Sequence, residues 1–383
     1  MSYDLLLTGG HVIDPAQGLD GTADVAFEDG RVAAIGPGLD RAQAREIRSA
    51  EGRWVVPGLI DLHTHVYHHG TAISVDAERV ARASGTTTCV DTGSAGACNM
   101  AGFRHHVIER SDVRIFAYVN ISLVGIIQGA GLLRLPEAEN LDYLDVSQCV
   151  GAVRAHRQHV VGVKVRVGRS STGTLGAIPL HLAIRAAEIA GVPVMVHIGA
   201  DPPPRIEDIV GPLRPGDIVT HCYTPKNNSP LLPDGAIRPV YLDARERGVI
   251  FDVGHGAGSF GFDTARRMLE QGFAPDVISS DVHVGSIVRP AENVLVTMSK
   301  FLCLGMPLVE VVRAATATPA RVMGHPELGT LAPGAAGDAT LLDIEEGPVT
   351  FLDSIGAKLD ADRRLRQRGI VLRGRWWDDG AGM

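Results

Sequence analysis

Residues 57–65 constrain the fold of this chain more than any other stretch, and they read Pro-Gly-Leu-Ile-Asp-Leu-His-Thr-His. A mostly apolar run bounded by Pro-Gly predicts a short buried strand. Because side chains alternate along a strand, His63 and His65 are expected to point the same way at its carboxyl end. Two convergent imidazoles suit a zinc-type cation, although surface or hydrogen-bonded pairs are the commoner source of this spacing. A metal site therefore requires further ligands at the ends of other strands.

Seven more apolar runs follow along the chain, separated by segments of helical character. This alternation predicts βαβ units and a parallel sheet. Eight strands with intervening helices fit an α/β fold, a (β/α)8 TIM-type barrel, and a doubly wound sheet is the alternative. The barrel is favoured because ionisable residues stand at so many strand ends. The predicted strands are residues 57–65, 86–91, 113–120, 160–166, 192–197, 217–222, 249–253 and 276–281.

The two chain ends have a different character from this middle region. Short strands with turn punctuation occur at both ends, and Asp29-Gly30 is a strong hairpin signal near the N-terminus. Like segments at both termini suggest one small domain to which each end contributes. We therefore predict a small β-sandwich domain built from residues 1–56 and 330–383, and a metal-dependent catalytic barrel formed by residues 57–329.

Composition excludes several classes of protein. A chain of 383 residues, 45% hydrophobic and 21% charged, is typical of a well-buried globular protein. Its net charge of −8 and pI of about 6.0 argue against a nucleic-acid partner. The five cysteines form no C-x-x-C, so neither a disulfide framework nor a thiolate zinc site is indicated. Without a secretory signal or an apolar run of roughly 18 residues, we predict a cytoplasmic protein with no membrane partner and a small-molecule substrate, and homo-oligomerisation stays open.

Six polar residues stand at or near the ends of the predicted strands. A barrel collects the carboxyl ends of its strands in one mouth, so residues far apart in sequence can converge there. Taken singly, each has an ordinary explanation, such as a core histidine, a surface lysine or an N-cap aspartate. Their occurrence together favours a metal site. The six residues are His63, His65, Lys164, His197, His221 and Asp281.

The residues 57–65 resemble the first metal motif of the amidohydrolase superfamily. The later order of Lys164, His197, His221 and Asp281 is similar to the branch of dihydroorotases, hydantoinases and N-acyl-amino-acid deacylases. The resemblance spans nearly the whole chain, including the split β-domain. Within this branch, the chain looks most like a dihydroorotase-like group of deacetylases and esterases that act on acylated hydroxy or amino acids.

The resemblance implies a binuclear metal centre. His63, His65 and Asp281 would bind the more buried divalent ion, and His197 and His221 the more exposed one. Lys164 would be carboxylated by CO2, and the resulting carbamate would bridge both ions. The modification suits this position because an ammonium would repel the metals. Burial near cations lowers the pKa of the lysine and so provides the neutral amine that reacts with CO2. Zinc is the expected metal, with manganese, cobalt and iron as alternatives.

The resemblance also implies a hydrolytic mechanism. A metal-bridging hydroxide would attack an acyl (acetyl-type) amide or ester of a small carboxylate-bearing substrate. Asp281 would be the catalytic general base and then the general acid. The alternative is a cyclic amide hydrolase of the dihydroorotase or hydantoinase type. A non-catalytic barrel scaffold is more remote, because all six candidate ligands are present.

Five further residues are candidates for substrate binding. Arg166 lies two positions after Lys164, so it is expected to face the mouth and to bind a substrate carboxylate through two hydrogen bonds. A salt bridge between Arg166 and a barrel acid is the alternative. Loops 167–178 and 222–239 follow strand ends and are expected to determine specificity. The other four candidates are Tyr118, Asn120, His255 and His283.

Overall fold

The computed structural model describes residues 3–127 and 136–377. In these residues two sheets organise the chain. The strands are β1 Tyr3–Asp14, β2 Leu19–Glu28, β3 Arg31–Gly36, β4 Ala44–Ser49, β5 Trp54–Pro57, β6 Leu59–Thr64, β7 Thr86–Gly96, β8 Arg114–Asn120, β9 Val160–Val167, β10 Val194–Ile198, β11 Ile218–Thr220, β12 Ile250–Asp252, β13 Ala339–Leu352, β14 Lys358–Leu372 and β15 Arg375–Trp376.

The helices lie mainly between the strands of the central region. They are α1 Ala77–Ser84, α2 Met100–His106, α3 Val146–Ala155, α4 Arg169–Thr172, α5 Ile178–Ala190, α6 Ile206–Val210, α7 Pro239–Glu246, α8 Phe262–Glu270, α9 Val294–Cys303, α10 Leu308–Ala315 and α11 Ala317–Val322. None of the helices within residues 3–127 and 136–377 combines the length and apolar character needed to cross a membrane.

The central sheet is parallel and runs in the order β6 to β12. Its strands β6, β7 and β9 are almost entirely buried on both faces, as expected where helices cover a parallel sheet, although β7 is rich in threonine and other polar residues. The chain then closes the sheet through single bridges, with Val277 beside Asp252 of β12 and Val282 beside Thr64 of β6. The result is a curled parallel sheet with mixed α/β content, in agreement with the predicted barrel.

The last predicted strand, residues 276–281, does not form a regular ladder. Asp281 adopts a left-handed backbone conformation with φ of 48°, which an extended strand cannot accommodate. The Asp281 N–H nevertheless donates to the His63 carbonyl at 2.7 Å, and the His65 N–H donates to the Val282 carbonyl at 3.0 Å. The prediction of a strand is therefore wrong in form, although the segment occupies the expected position beside β6.

The second sheet interleaves the two ends of the chain. Seven of its eight strands run in the order β15-β14-β13-β5-β1-β2-β3. The eighth, β4, pairs in parallel with the first half of β1, and β5 pairs with β1 further along, at His11 and Val12. Strand β13 pairs antiparallel with β5, so the C-terminal region joins the N-terminal strands directly. The structure thus shows one sheet built from both termini. The sandwich architecture and the domain boundaries stay predictions, and residues 378–383 of the predicted small domain lie outside the described residues.

Candidate metal centre

Three side chains converge where β6 meets the closing segment of the barrel. The Nε2 atoms of His63 and His65 lie 3.4 and 3.3 Å from Oδ1 of Asp281. All three residues are buried, and they form a group whose ligand atoms could hold one metal ion. The two histidines reach the same carboxylate because one residue separates them along the extended chain.

Lys164 projects from β9 toward this group. Its Nζ lies 3.3 Å from His63 Nε2, and only 1% of the residue is exposed. Burial lowers the pKa of Lys164 to about 7, so a substantial fraction is neutral amine near neutral pH. Gly93 on β7 leaves room for the aliphatic stem, since a Cβ there would lie 2.7 Å from Lys164 Cγ.

His197 on β10 and His221 after β11 form a second pair of nitrogens. His221 Nε2 lies 2.7 Å from His197 Nδ1, and the two rings meet edge to face. The other nitrogen of His221 donates to the Gly254 carbonyl at 2.6 Å. His221 has a φ of 71°, a conformation that is rare outside glycine and that is often found at functional sites.

Hydrogen bonds on the far side of the imidazoles determine which nitrogen faces the centre. The Thr220 hydroxyl donates to Asp252 at 2.7 Å, so its oxygen accepts from His63 Nδ1 at 2.8 Å. His63 Nε2 is therefore left with its lone pair. The Nδ1 atom of His65 pairs with the Ser94 hydroxyl at 2.9 Å. Partners of this kind orient metal-binding histidines.

Sequence reasoning missed the supporting residues Thr220, Asp252 and Ser94. Asp252 ends β12 and Thr220 ends β11, so their positions at strand ends were a usable signal. Ser94 lies in an uninterrupted buried run of β7, and small hydroxyl residues are common in buried strands. Nothing in the spacing of Ser94 distinguished it from its neighbours.

The electrostatic environment favours the metal-binding forms of these side chains. Burial lowers the pKa of His63 and of His197 well below the usual value, and it lowers that of His221 to about 4. The imidazoles are therefore neutral, as metal ligation requires. Burial alone would raise the pKa of Asp281, but the neighbouring His63 and His65 hold it well below its usual range.

A cavity of about 270 Å³ opens above the cluster. Five of the six candidate ligands line this cavity. The sixth, His221, does not line it but contacts His197, which does. Its rim carries cationic and hydroxyl side chains and a few small apolar ones. The lining residues outside the ligand set are Ile73, Arg166, Ser170, Ile198, Ala200, Thr224, Lys226, Ala257, Gly258, Ser259 and His283.

Arg166 lines the cavity but is already engaged. Its Nε and Nη2 atoms donate to the two carboxylate oxygens of Glu137, each at 2.6 Å. This ion pair is the alternative that the sequence left open, with the acid coming from the segment between β8 and α3. His283 also lines the cavity, and its Nδ1 lies 2.8 Å from the Asp281 carbonyl and 3.0 Å from the Ser286 hydroxyl.

Tyr118, Asn120 and His255 are not among the residues that line the cavity. Tyr118 is fully buried among apolar side chains inside the barrel. The Asn120 side chain donates to the Gly93 carbonyl and accepts from the Ser122 N–H, so it secures the backbone beside Lys164. His255 turns away toward a buried lysine. The placement of these three side chains does not support the expected substrate contacts.

Comparison with known proteins identifies the family. The sequence profile described as the amidohydrolase family matches residues 241–365. The chain is also 35% identical over 354 residues to a protein named deacetylase from Brucella anthropi, and the match covers 92% of this chain and 87% of that protein. The chain belongs to the amidohydrolase family. The predictions of family and of a hydrolase enzyme are thereby confirmed.

Two solved structures resemble this amidohydrolase over nearly its full length. A crystal structure of a dihydroorotase aligns with a TM-score of 0.87 and 32% identity, and covers 97% of this chain and 98% of the other. A crystal structure of an adenine deaminase aligns with a TM-score of 0.91 and 28% identity, and covers 99% and 100%. Together with the curled sheet of the present structure, these neighbours establish the barrel fold.

The side chains of the amidohydrolase centre fit divalent cations. Members of this family are generally metal-dependent, and His63, His65 and Asp281 present two imidazole nitrogens and a carboxylate oxygen at one point. Burial lowers the pKa of His63 well below its usual value, and the Nδ1 of His63 is hydrogen-bonded to the Thr220 hydroxyl. These are the properties of a protein site prepared for a metal.

Proposed function

We propose that the protein hydrolyses an acyl amide or ester bond, of the acetyl type, in a small carboxylate-bearing substrate. The observation that carries this proposal is the convergence of His63 Nε2 and His65 Nε2 on Asp281 Oδ1 at the base of an open cavity. The similarity to a protein named deacetylase supports an acyl substrate. The cationic rim of the cavity supports an acidic one.

The proposed site holds two divalent ions, with zinc as the first candidate and manganese, cobalt or iron as alternatives. His63, His65 and Asp281 would hold the more buried ion, and His197 Nδ1 and His221 Nε2 the other. Bound divalent ions polarise a carbonyl group and lower the pKa of water. With this chemistry, the reaction would need no serine or cysteine nucleophile.

Lys164 is proposed to act as a carbamate between the two ions. An ammonium 3.3 Å from a metal-binding nitrogen would repel the cations, so the unmodified charged form is a poor neighbour. The pKa of about 7 provides the neutral amine that can react with CO2. The reaction forms an N–C bond, releases a proton and leaves an anionic oxygen donor.

Asp281 is the residue best placed to move protons. Its carboxylate faces both the histidine cluster and the cavity, and its low pKa keeps it ionised. It would accept a proton from the attacking water and deliver that proton to the departing nitrogen or oxygen of the substrate. Backbone hydrogen bonding of Asp281 to His63 holds the carboxylate at this position.

Metal analysis and a substrate panel test this proposal together. Protein produced with zinc or manganese and bicarbonate is compared with Lys164→Ala. We expect about two metals per chain in the wild type and far fewer in the variant, with turnover of N-acyl or O-acyl acids by the wild type only. One metal per chain, unchanged in the variant, would contradict the carbamate bridge. Protein without metal or turnover would favour the scaffold alternative.

Cyclic amide hydrolysis is the second candidate. It is favoured by the alignment with a crystal structure of a dihydroorotase at 32% identity over 97% of the chain. The same panel therefore includes dihydroorotate, hydantoins and dihydropyrimidines. Turnover of a ring amide at a rate well above every acyclic acid would replace the first proposal with this one.

A further inference from the structure

We infer that Lys226, rather than Arg166, binds the carboxylate of the substrate. This inference rests on the proposed function, because it assigns the acidic end of the proposed substrate to one side of the cavity. Lys226 lies in the loop between β11 and α7, and its side chain lines the same cavity as the metal-binding residues.

The charge of Arg166 is already matched. Two hydrogen bonds of 2.6 Å join its guanidinium to Glu137, whose side chain is only 1% exposed. A substrate carboxylate approaching Arg166 would meet a neutral pair with a second carboxylate directly behind the guanidinium. Withdrawing Arg166 from Glu137 would leave a buried carboxylate unpaired, which is strongly unfavourable. Arg166 therefore holds the wall of the cavity in place.

Lys226 has the opposite properties. Within residues 3–127 and 136–377, no carboxylate or carbonyl accepts a hydrogen bond from its ammonium. The residue is exposed, so the ammonium retains its hydration until an anion arrives. A lysine of this kind offers a point charge with three donors to an incoming carboxylate.

Gly258 makes room for Lys226 over the cavity. A Cβ on Gly258 would lie 3.1 Å from Lys226 Nζ, so the ammonium lies directly against this glycine. Gly258 and its neighbours Ala257 and Ser259 line the cavity. The ammonium thus lies over a wall of small residues and can reach a substrate that enters between this wall and Arg166.

Asp281 is the single carboxylate among the described residues that line the cavity, and it belongs to the metal cluster. Outside the ligand set, the remaining polar side chains of the lining are hydroxyls, the His283 imidazole and the cations Lys226 and Arg166. This asymmetry orients an acylated acid in one way, with the scissile acyl group at Asp281 and the carboxylate at Lys226. This orientation matches the acylated amino or hydroxy acids of the proposed function.

Substitution at Lys226 tests the assignment with a matched pair of probes, N-acetylalanine and N-acetylalaninamide. The measured quantity is the ratio of kcat/KM for the acid to kcat/KM for the amide, with metal-loaded full-length protein. We expect Lys226→Gln to lower this ratio about tenfold or more, mainly through KM for the acid, since charge-assisted hydrogen bonds have this strength. Lys226→Arg should retain most of the preference.

Lys358→Gln is the matched control, because it makes the same change at an exposed lysine on β14. It should leave the ratio at the wild-type value. A Lys226→Gln ratio equal to that of wild type would overturn the assignment. The assignment would also be overturned if Arg166→Gln lowered the ratio and Lys226→Gln did not.

Calorimetric binding of the two probes separates failure of this inference from failure of the proposed function. If the wild type hydrolyses both probes and its preference for the acid does not depend on Lys226, the proposed hydrolase function stands and the assignment of Lys226 to the carboxylate fails. Alternatively, the wild type hydrolyses neither probe but binds N-acetylalanine more tightly than its amide, and Lys226→Gln abolishes this difference in affinity. The assignment of Lys226 to the carboxylate then stands. In that case the proposal of acyl hydrolysis fails.

Discussion

The Nζ of Lys300 lies 2.7 Å from Nε2 of His255, and both residues are fully buried. The ammonium also donates to the carbonyls of Pro290 and Leu352, at 2.7 and 2.8 Å. His255 Nδ1 donates to the Gly256 carbonyl at 2.9 Å, which leaves Nε2 as the acceptor for Lys300. A single lysine on α9 therefore connects the loop after β12 with strand β13 of the terminal sheet.

This connection bears on the metal cluster through Gly256. A Cβ at Gly256 would lie 2.2 Å from Asp281 Oδ2, so the loop backbone confines the carboxylate directly. We therefore expect Lys300 and His255 to position Asp281. The sequence shows that His255 lies in a glycine-rich loop. It does not reveal the hydrogen-bond partner Lys300, which lies 45 positions further along the chain on a helix.

Lys300→Met should destabilise the protein and reduce turnover. The substitution keeps most of the side-chain volume but leaves three buried acceptors without a donor. We expect the free energy of unfolding to fall by about 2–4 kcal/mol, because each unsatisfied buried acceptor is costly. Denaturant unfolding measures the loss, with Lys358→Gln as the control for removal of a lysine charge.

The positioning role of Lys300 has its own readout. With the protein kept below its unfolding temperature and metal content equal to wild type, kcat should still fall, because Gly256 in the loop held by Lys300 confines the Asp281 carboxylate. A purely structural role would lower stability and leave kcat per folded, metal-loaded molecule unchanged. That result would contradict the link between Lys300 and Asp281.

Gly93→Ala should displace Lys164. The new methyl group would lie 2.7 Å from Lys164 Cγ and 2.8 Å from its Cβ, and Gly93 has a φ of 88°. We expect metal content to fall and turnover to drop about 100-fold, the scale of loss for a misplacement near 1 Å. Elemental analysis and steady-state assays measure both quantities.

Gly272→Ala separates the two causes of such a loss. Gly272 also has a positive φ, 77°, but its Cβ would meet no atom within 4 Å. This control carries the backbone strain without the clash, so its metal content should match that of the wild type. If both variants lose metal equally, the effect comes from backbone strain and the close approach of Lys164 is irrelevant.

The sequence predicted the residues of the centre better than those around it. His63, His65 and Asp281 could be found because strand alternation and barrel geometry act through the backbone alone, and both rules are visible in the chain. The Arg166–Glu137 pair was only an alternative, since Glu137 lies outside every predicted strand and its position depends on how a loop folds back. The same holds for Lys226, which occupies an exposed position in a long loop.

The closing segment shows a different limit. Residues 276–281 have the composition of a strand, yet Asp281 takes a left-handed conformation to direct its carboxylate at His63. Hydrogen bonding from the Ser280 N–H to Asp61, at 2.9 Å, stabilises this turn from β6. Local sequence propensity cannot predict such a tertiary contact, because the two residues are 219 positions apart.

Thr220→Val should weaken metal binding at His63. Valine matches the shape of threonine but removes the oxygen that accepts from His63 Nδ1 at 2.8 Å. Loss of such a partner typically lowers metal affinity about 10–100-fold. Competition with a chromogenic chelator measures the affinity, and Thr22→Val, at an exposed position of β2, is the control. Equal affinities in the wild type and Thr220→Val would show that the hydrogen bond does not orient the ligand.

Asp281→Asn separates metal binding from proton transfer. Asparagine keeps an oxygen for the metal but cannot accept a proton at neutral pH, so kcat should fall about 100-fold or more. The matched control is Asp263→Asn, an exposed position on α8 whose carboxylate pairs only with Arg267 among the described residues. Metal content, measured beside kcat, decides the interpretation. Full metal occupancy with wild-type turnover would remove Asp281 from the proposed mechanism, whereas full occupancy with lost turnover would support its role as the general base.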